Sequence, residues 1–227
     1  MLTNKKALML DMNSTFMFGE DRFGEGEDYS IHYKSSGGQM PSGVVNELIR
    51  NAFSYLEKRY PDENYRHSFP SVRTAILQTS TIHLTEQELS ALVDAFAFHE
   101  HGYIPDYYVQ ALHQLKKRFT LALVIDIWSP KTLWLETFKQ LRIDQLFSAA
   151  SFSSDHGMVK PSPKPFELVV QQLNIPRHEC VVIGDSARRD LGGACAAGLE
   201  SILVGGAEDE KALASVSSLL DISTAYE

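Results

Sequence analysis

Five short apolar runs, and the spacing between them, constrain the fold of this chain more than any other feature: Ala7 to Leu10, Leu121 to Ile125, Ala149 to Phe152, Cys180 to Ile183 and Ser201 to Val204. Short apolar runs of this kind read as strands buried on both faces. Four of the five fall after residue 120, with helical patterns between them. Trp134, Phe138 and Leu141 fit one face of a first crossover helix. Ser162 and Pro163 read as an N-cap and a first helical residue, and Phe166, Val169, Val170 and Leu173 then recur at i, i+3, i+4, i+7. A third pattern, Ala187 to Ala197, stops at Gly198. Strands alternating with helices predict an α/β fold with a parallel sheet.

Between the first strand and the others lies a long stretch, from about Gly19 to Ile104, with no convincing core strand. It reads as a separate helical lobe. Val45, Leu48, Ile49, Ala52 and Leu56 make an apolar stripe on a helix that ends before Pro61. Thr85 and Glu88 form a capping box for a second helix carrying Leu89, Leu92, Val93 and Phe96. A shorter helix runs from Val72 to Leu77. The chain returns through a helix opened near Pro105, with Tyr108, Leu112 and Leu115 facing inward. Phe18 to Gly38 holds five glycines, which predicts a tight hairpin or hinge rather than regular helix. The expected division is therefore 1–18 with 105–227 as a core, and 19–104 as an inserted flap and helical unit.

Charge and composition narrow the partners. A net charge of −8 without clustered lysines and arginines argues against a nucleic-acid surface. No apolar run approaches the roughly 20 residues of a membrane span, and the apolar segment at the N-terminus is too short for an export signal. A cytoplasmic protein acting on a small molecule is expected, with Cys180 and Cys195 as reduced core thiols.

In an open parallel sheet, ligands sit outside the carboxyl ends of the strands. The first strand ends in Asp11, the second in Asp126 and the fourth in Gly184-Asp185, with Asp190 in the helix that follows. Lys160 precedes the helix opened by Ser162. Taken singly, such residues are commonly turn formers or solvated charges. Carboxylates gathered at one sheet edge raise one another's pKa unless something positive neutralises them. A magnesium ion, with hard oxygen ligands and open positions for water or phosphate, meets that need. Asp11 then becomes a candidate nucleophile toward phosphorus, and Lys160 a partner for the phosphate charge.

These residues resemble those of the haloacid dehalogenase-like hydrolase superfamily over nearly the whole chain. Asp11-Met12-Asn13-Ser14-Thr15 is similar to the family's Asp-x-Asp-x-Thr nucleophile motif, and Lys160-Pro161-Ser162-Pro163 to its lysine motif. Gly184-Asp185-Ser186-Ala187-Arg188-Arg189-Asp190 is similar to its metal motif. The resemblance implies a Rossmann-like core with a helical cap inserted after the first strand. It also implies a sheet in which that strand is central, flanked by the second and fourth. Asp11 and Lys160 would be catalytic, and Asp11, Asn13 (through its backbone carbonyl), Asp185 and Asp190 would surround Mg²⁺. The substrate would be a small phosphorylated metabolite.

Two positions depart from the pattern. Asn13 stands where phosphatases of the family carry an acid that protonates the leaving oxygen and then activates water. An amide cannot titrate near neutral pH, and such acid–base help is worth about 10² to 10⁴ in rate. Ile125 stands where a phosphate-binding hydroxyl is expected; Ser129 and Lys131 reach a phosphate only if their loop folds back, and Asp126 would repel one. The expected activity is a magnesium-dependent phosphohydrolase working through an aspartyl-phosphate. The alternatives are a catalytically impaired pseudoenzyme that binds a phosphorylated ligand or protein, and a related phosphonate-cleaving or phosphotransfer enzyme. A cap lysine serving a phosphonatase would be Lys34 or Lys58, and spacing selects neither. His99-Glu100-His101 is not a joint metal site on a continuous helix, because i and i+2 face apart.

Overall fold

A computed structural model describes residues 2–226. β1 (Ala7–Leu10) leads into an inserted series of helices, α1 (Ser30–Ser35), α2 (Ser42–Arg59), α3 (Val72–Thr79) and α4 (Glu86–Glu100). α5 (Asp106–Lys116) returns the chain to β2 (Thr120–Ile125), followed by α6 (Thr132–Gln140), β3 (Phe147–Phe152), α7 (Ser153–His156) and α8 (Lys164–Leu173). Next come β4 (Cys180–Gly184), α9 (Gly192–Ala196), β5 (Glu200–Leu203), β6 (Ala214–Ser215) and α10 (Leu219–Thr224).

The strands form one six-stranded parallel sheet in the order β3-β2-β1-β4-β5-β6. β1 is central, with Leu10 level with Leu123 of β2 and Ile183 of β4. Strand order reverses beside β1, so the crevice at its carboxyl end is the expected ligand position. Both sheet faces are buried, which is why the strands read as unbroken apolar runs. Leu8 and Leu10 join Leu121, Leu123 and Trp134 on one face; Ala7 and Met9 join Val124, Val182 and Phe166 on the other. Gly193 permits the second packing, since a Cβ there would overlap the Phe166 ring.

The inserted helices bury a third cluster of their own, including Tyr29, Val45, Ile49, Leu56, Val72, Ile76, Leu92 and Phe96. The predicted stripe of α2 is buried throughout, and the Thr85–Glu88 capping box is formed. Where the insertion leaves and rejoins the sheet, Phe18 and Tyr103 pair antiparallel, each N–H donating to the other's carbonyl at 2.9 and 2.8 Å.

Several local expectations need correcting. The glycine-rich stretch does hold a helix, the six-residue α1, fitted between Gly26 and Gly37. Ser162 lies one residue further from its helix than expected: α8 starts at Lys164, whose N–H donates to Ser162 Oγ at 3.2 Å. The pattern Ala187 to Ala197 divides into a π-helical turn, Ala187–Leu191, and the short α9. β6 and α10 were not anticipated. Cys180 is a buried thiol, but Cys195 is exposed. Among the described residues, no helix is long and apolar enough to cross a membrane.

Candidate active site

Asp11 stands at the tip of β1, its N–H donating to Ile183 O of β4 at 2.8 Å, so the neighbouring strand fixes its backbone. Lys160, only 3% exposed, approaches from the turn before α8. Its Nζ donates to Asp11 Oδ1 at 2.6 Å and to Asp190 Oδ1 at 2.7 Å. Asp190 is held in turn. Its Oδ2 accepts the Ser186 N–H at 3.0 Å, while Ser186 Oγ accepts the Arg189 N–H at 3.1 Å, a reciprocal cap at the start of the π turn. Gly184 makes room for this arrangement, since a Cβ there would overlap the Asp190 carboxylate.

Asp11, Asp185 and Asp190 can each bring one oxygen within 4.8 Å of the others. They are not equivalent. Both Asp190 oxygens already have donors, whereas Asp185 Oδ1 and Asn13 Oδ1 are buried with no hydrogen-bond partner. Orphaned buried oxygens are costly unless something positive meets them. A set made of Asp11, Asp185 and residue 13 is all hard oxygen and fits a cation such as Mg²⁺ or Ca²⁺.

The electrostatics agree. Burial pushes the Asp11 carboxyl up to about 7 against the pull of Lys160, with Asp190 and Asp185 adding to the rise. Burial and Asp190 raise Asp185 as well. Burial disfavours the Lys160 ammonium, but Asp11, Asp190 and Asp126 outweigh it and hold the lysine firmly charged. Arg189 also pulls Asp185 down, yet Lys160 and Arg189 together leave both Asp11 and Asp185 raised, so these two cations do not neutralise this sheet edge.

A cavity of about 120 Å³ opens on these groups. Its wall includes Asp11, Asn13, Lys160 and Asp185, which the sequence identifies. It also includes groups that sequence reasoning missed: Glu20 and Asp21 after β1, Tyr60 beyond α2, Glu100 ending α4, Trp128 and Arg189. Asp126 joins them. Its Oδ2 accepts from the Tyr60 hydroxyl at 2.7 Å and from the Lys160 N–H at 2.9 Å, which gives this corner a structural explanation. Glu100 is buried and accepts the Trp128 and Ser129 N–H groups at 2.5 and 2.9 Å; burial still pushes its carboxyl up to about 7.

Other candidates are not brought to the cavity. Ser129 is fully buried and outside its lining, and Lys131 turns to Asp155 at 2.5 Å. Ile125 packs in the core. Lys34 Nζ donates to Ser42 Oγ, and Lys58 is exposed. The histidines flanking Glu100 diverge from it, His99 Nδ1 lying 3.2 Å from Arg22 O and His101 Nε2 3.0 Å from Thr137 Oγ1. The signal that could have found Glu100 was its charge, set among apolar residues at the end of an otherwise buried helix.

Known proteins place this geometry in context. The chain is 26% identical over 171 residues to "Pyrophosphatase PpaX" of Halalkalibacterium halodurans, spanning 71% of this chain and 77% of that protein. It is 28% identical over 93 residues to "Glyceraldehyde 3-phosphate phosphatase" of Pyrococcus furiosus; this match spans 41% of the chain and 38% of that relative's length. In fold, it is similar to the HAD-hydrolase YfnB from Bacillus subtilis bound to magnesium, with a TM-score of 0.60 at 14% identity, covering 98% of this chain and 99% of that one. Residues 5–198 match the haloacid dehalogenase-like hydrolase family. With the parallel sheet and the strand-tip carboxylates already in place, that match over most of its length makes the chain a member of the haloacid dehalogenase-like hydrolase family.

Proposed function

We propose that the chain is a magnesium-dependent phosphohydrolase that cleaves a small phosphorylated metabolite through an aspartyl-phosphate on Asp11. The observation that carries this reading is the buried Asp11–Lys160–Asp190 chain beside a free Asp185 carboxylate, opening into a small cavity at the sheet's switch point. Asp11 supplies the attacking oxygen. Lys160 orients that carboxylate and lies beside the charge that develops on the phosphoryl oxygens. Asp190 acts at one remove, holding Lys160 in place. Asp11, Asp185 and the carbonyl of Asn13 would hold the ion, which when bound neutralises phosphate oxygens and makes phosphorus more electrophilic. The names of two relatives, a pyrophosphatase and a phosphatase of a small sugar phosphate, support a phosphorylated substrate of modest size, as does the cavity of about 120 Å³. In this reading residues 19–104 are flap and cap, and 1–18 with 105–227 are the core they close on.

Asn13 and the Asp126 carboxylate in the cavity wall favour a second reading, in which a ligand binds without turnover. Steady-state assays on a panel of phosphate monoesters with magnesium separate the two, using the native chain, Asp11→Asn and Asn13→Asp. The first reading expects native turnover that Asp11→Asn abolishes. Turnover that survives Asp11→Asn would sink the nucleophile assignment. A native chain that is inert until Asn13→Asp is introduced would establish the second reading.

A further inference from the structure

We infer that Glu20, carried on the segment between β1 and α1, supplies the proton transfers that an amide at position 13 cannot, an inference that rests on the phosphohydrolase reading above. Glu20 lines the same cavity as Asp11 and Asn13. Its Oε1 accepts from Ser14 Oγ at 3.1 Å, which anchors the side chain beside residue 13, while its Oε2 is buried with no partner. The backbone around it is fixed on both sides. The Phe18–Tyr103 bridge ends two residues before it, and the Asp21 N–H donates to Glu100 O at 3.3 Å. Both ties place the carboxylate on braced backbone rather than on a free loop, as precise proton transfer requires.

The other acids of the cavity are placed differently. Both Glu100 oxygens accept backbone N–H groups. Asp126 Oδ2 is held by Tyr60 and the Lys160 N–H while its Oδ1, like Glu20 Oε2, has no partner, but Asp126 sits on the core, at the tip of the strand adjacent to Asp11, and not on the inserted segment. Asp21 lies at the rim, and its carboxyl, pushed up to about 6 by burial and by Glu20, has no hydrogen bond among the described residues to anchor it; Asp185 belongs to the cation set. Glu20 alone among them combines an anchored oxygen, an unpartnered one and a position on the inserted segment.

In the first step an Asp11 oxygen bonds to phosphorus, the bond from phosphorus to the leaving oxygen breaks, and Glu20 gives that oxygen its proton. In the second, the Glu20 carboxylate takes a proton from water as the water oxygen bonds to phosphorus. The bond to Asp11 then breaks, releasing inorganic phosphate and restoring both side chains.

The test is a series of aryl phosphates of graded leaving-group acidity, assayed with the native chain, Glu20→Gln, Asn13→Asp and the double variant. Gln keeps the acceptor for Ser14 Oγ, and circular dichroism with a thermal melt checks that the variants fold. In Glu20→Gln, kcat/KM should fall by about 10² to 10⁴ for the poorest leaving groups and progressively less as they improve. Adding Asn13→Asp to Glu20→Gln should restore most of that loss. A Glu20→Gln chain within threefold of native across the series overturns the inference, as does a uniform loss that Asn13→Asp fails to rescue. A native chain without activity alongside an active Asn13→Asp overturns the role of Glu20 while leaving the Asp11 site standing. If neither turns over, the phosphohydrolase reading itself fails, and this inference with it.

Discussion

Replacing Glu100 with Gln should make the fold less sensitive to alkaline pH, and the size of the effect follows from where Glu100 sits. Its carboxyl is raised from 4.5 to about 7, chiefly by burial, despite the donated N–H groups of Trp128 and Ser129. The folded chain therefore binds this proton more tightly than the unfolded chain. Above pH 7 the group is ionised in both states, and folding bears the whole difference, about 3 kcal/mol at about 1.4 kcal/mol per pKa unit. At pH 5 the folded carboxyl is protonated and about 1 kcal/mol of that cost remains. Gln abolishes the titration. It also leaves one N–H poorly paired, at about 1–3 kcal/mol, but that penalty does not vary with pH. Urea unfolding of both proteins in chelator at pH 5, 6, 7 and 8 isolates the carboxyl. The variant should gain about 2 kcal/mol relative to native between pH 5 and pH 8. Parallel stability curves for the two proteins would refute the claim that burial at this contact dominates its two hydrogen bonds.

Other outcomes follow from the same geometry. Magnesium at about 100 times its dissociation constant should stabilise the native chain by about 2.7 kcal/mol, a rise of roughly 5–10 °C in Tm by differential scanning fluorimetry, and Asp185→Asn should lose most of it. Lys160→Met leaves Asp11 and Asp190 without their buried cation; a loss of about 3–5 kcal/mol is expected in urea unfolding, partly returned by added magnesium. Gly184→Ala forces the Asp190 carboxylate aside and should cost about 1–3 kcal/mol in the same assay. Its loss of phosphatase activity should exceed what the unfolded fraction explains, because Lys160 moves with Asp190.

Asp11, Lys160, Asp185 and Asp190 were legible in the chain because each lies at a strand tip or beside a helix start, places that apolar periodicity locates. Their convergence then follows from strand order. The opposite wall of the cavity was not legible. Tyr60 and Glu100 lie at the ends of α2 and α4, and nothing in an amphipathic stripe states which end will meet the sheet. Asp126 looked anomalous beside a phosphate until Tyr60 and the Lys160 N–H supplied its partners. β6 pairs through two residues, too few for any period to register. α1 fits six residues between glycines whose number, counted alone, spoke against a helix. The distinction between Asp185 and Asp190 was also invisible, since both are aspartates of one motif and only the hydrogen-bond partners separate them.

The paired backbone at Phe18 and Tyr103 has a consequence for how such a chain can be altered. Residues 18 and 103 are joined by a single antiparallel bridge, so the more than eighty residues between them begin and end at nearly one point. To the sheet, that length is a side branch. A linker of a few residues could bridge the gap left by its removal, and a foreign helical segment with closely spaced ends could be grafted at the same place without disturbing strand order. Substrate choice could then diversify by exchange at this junction while Asp11, Asp185, Asp190 and Lys160 stay where the strands put them; Glu20, Tyr60 and Glu100 leave with the branch, so a graft must bring its own proton-transfer group.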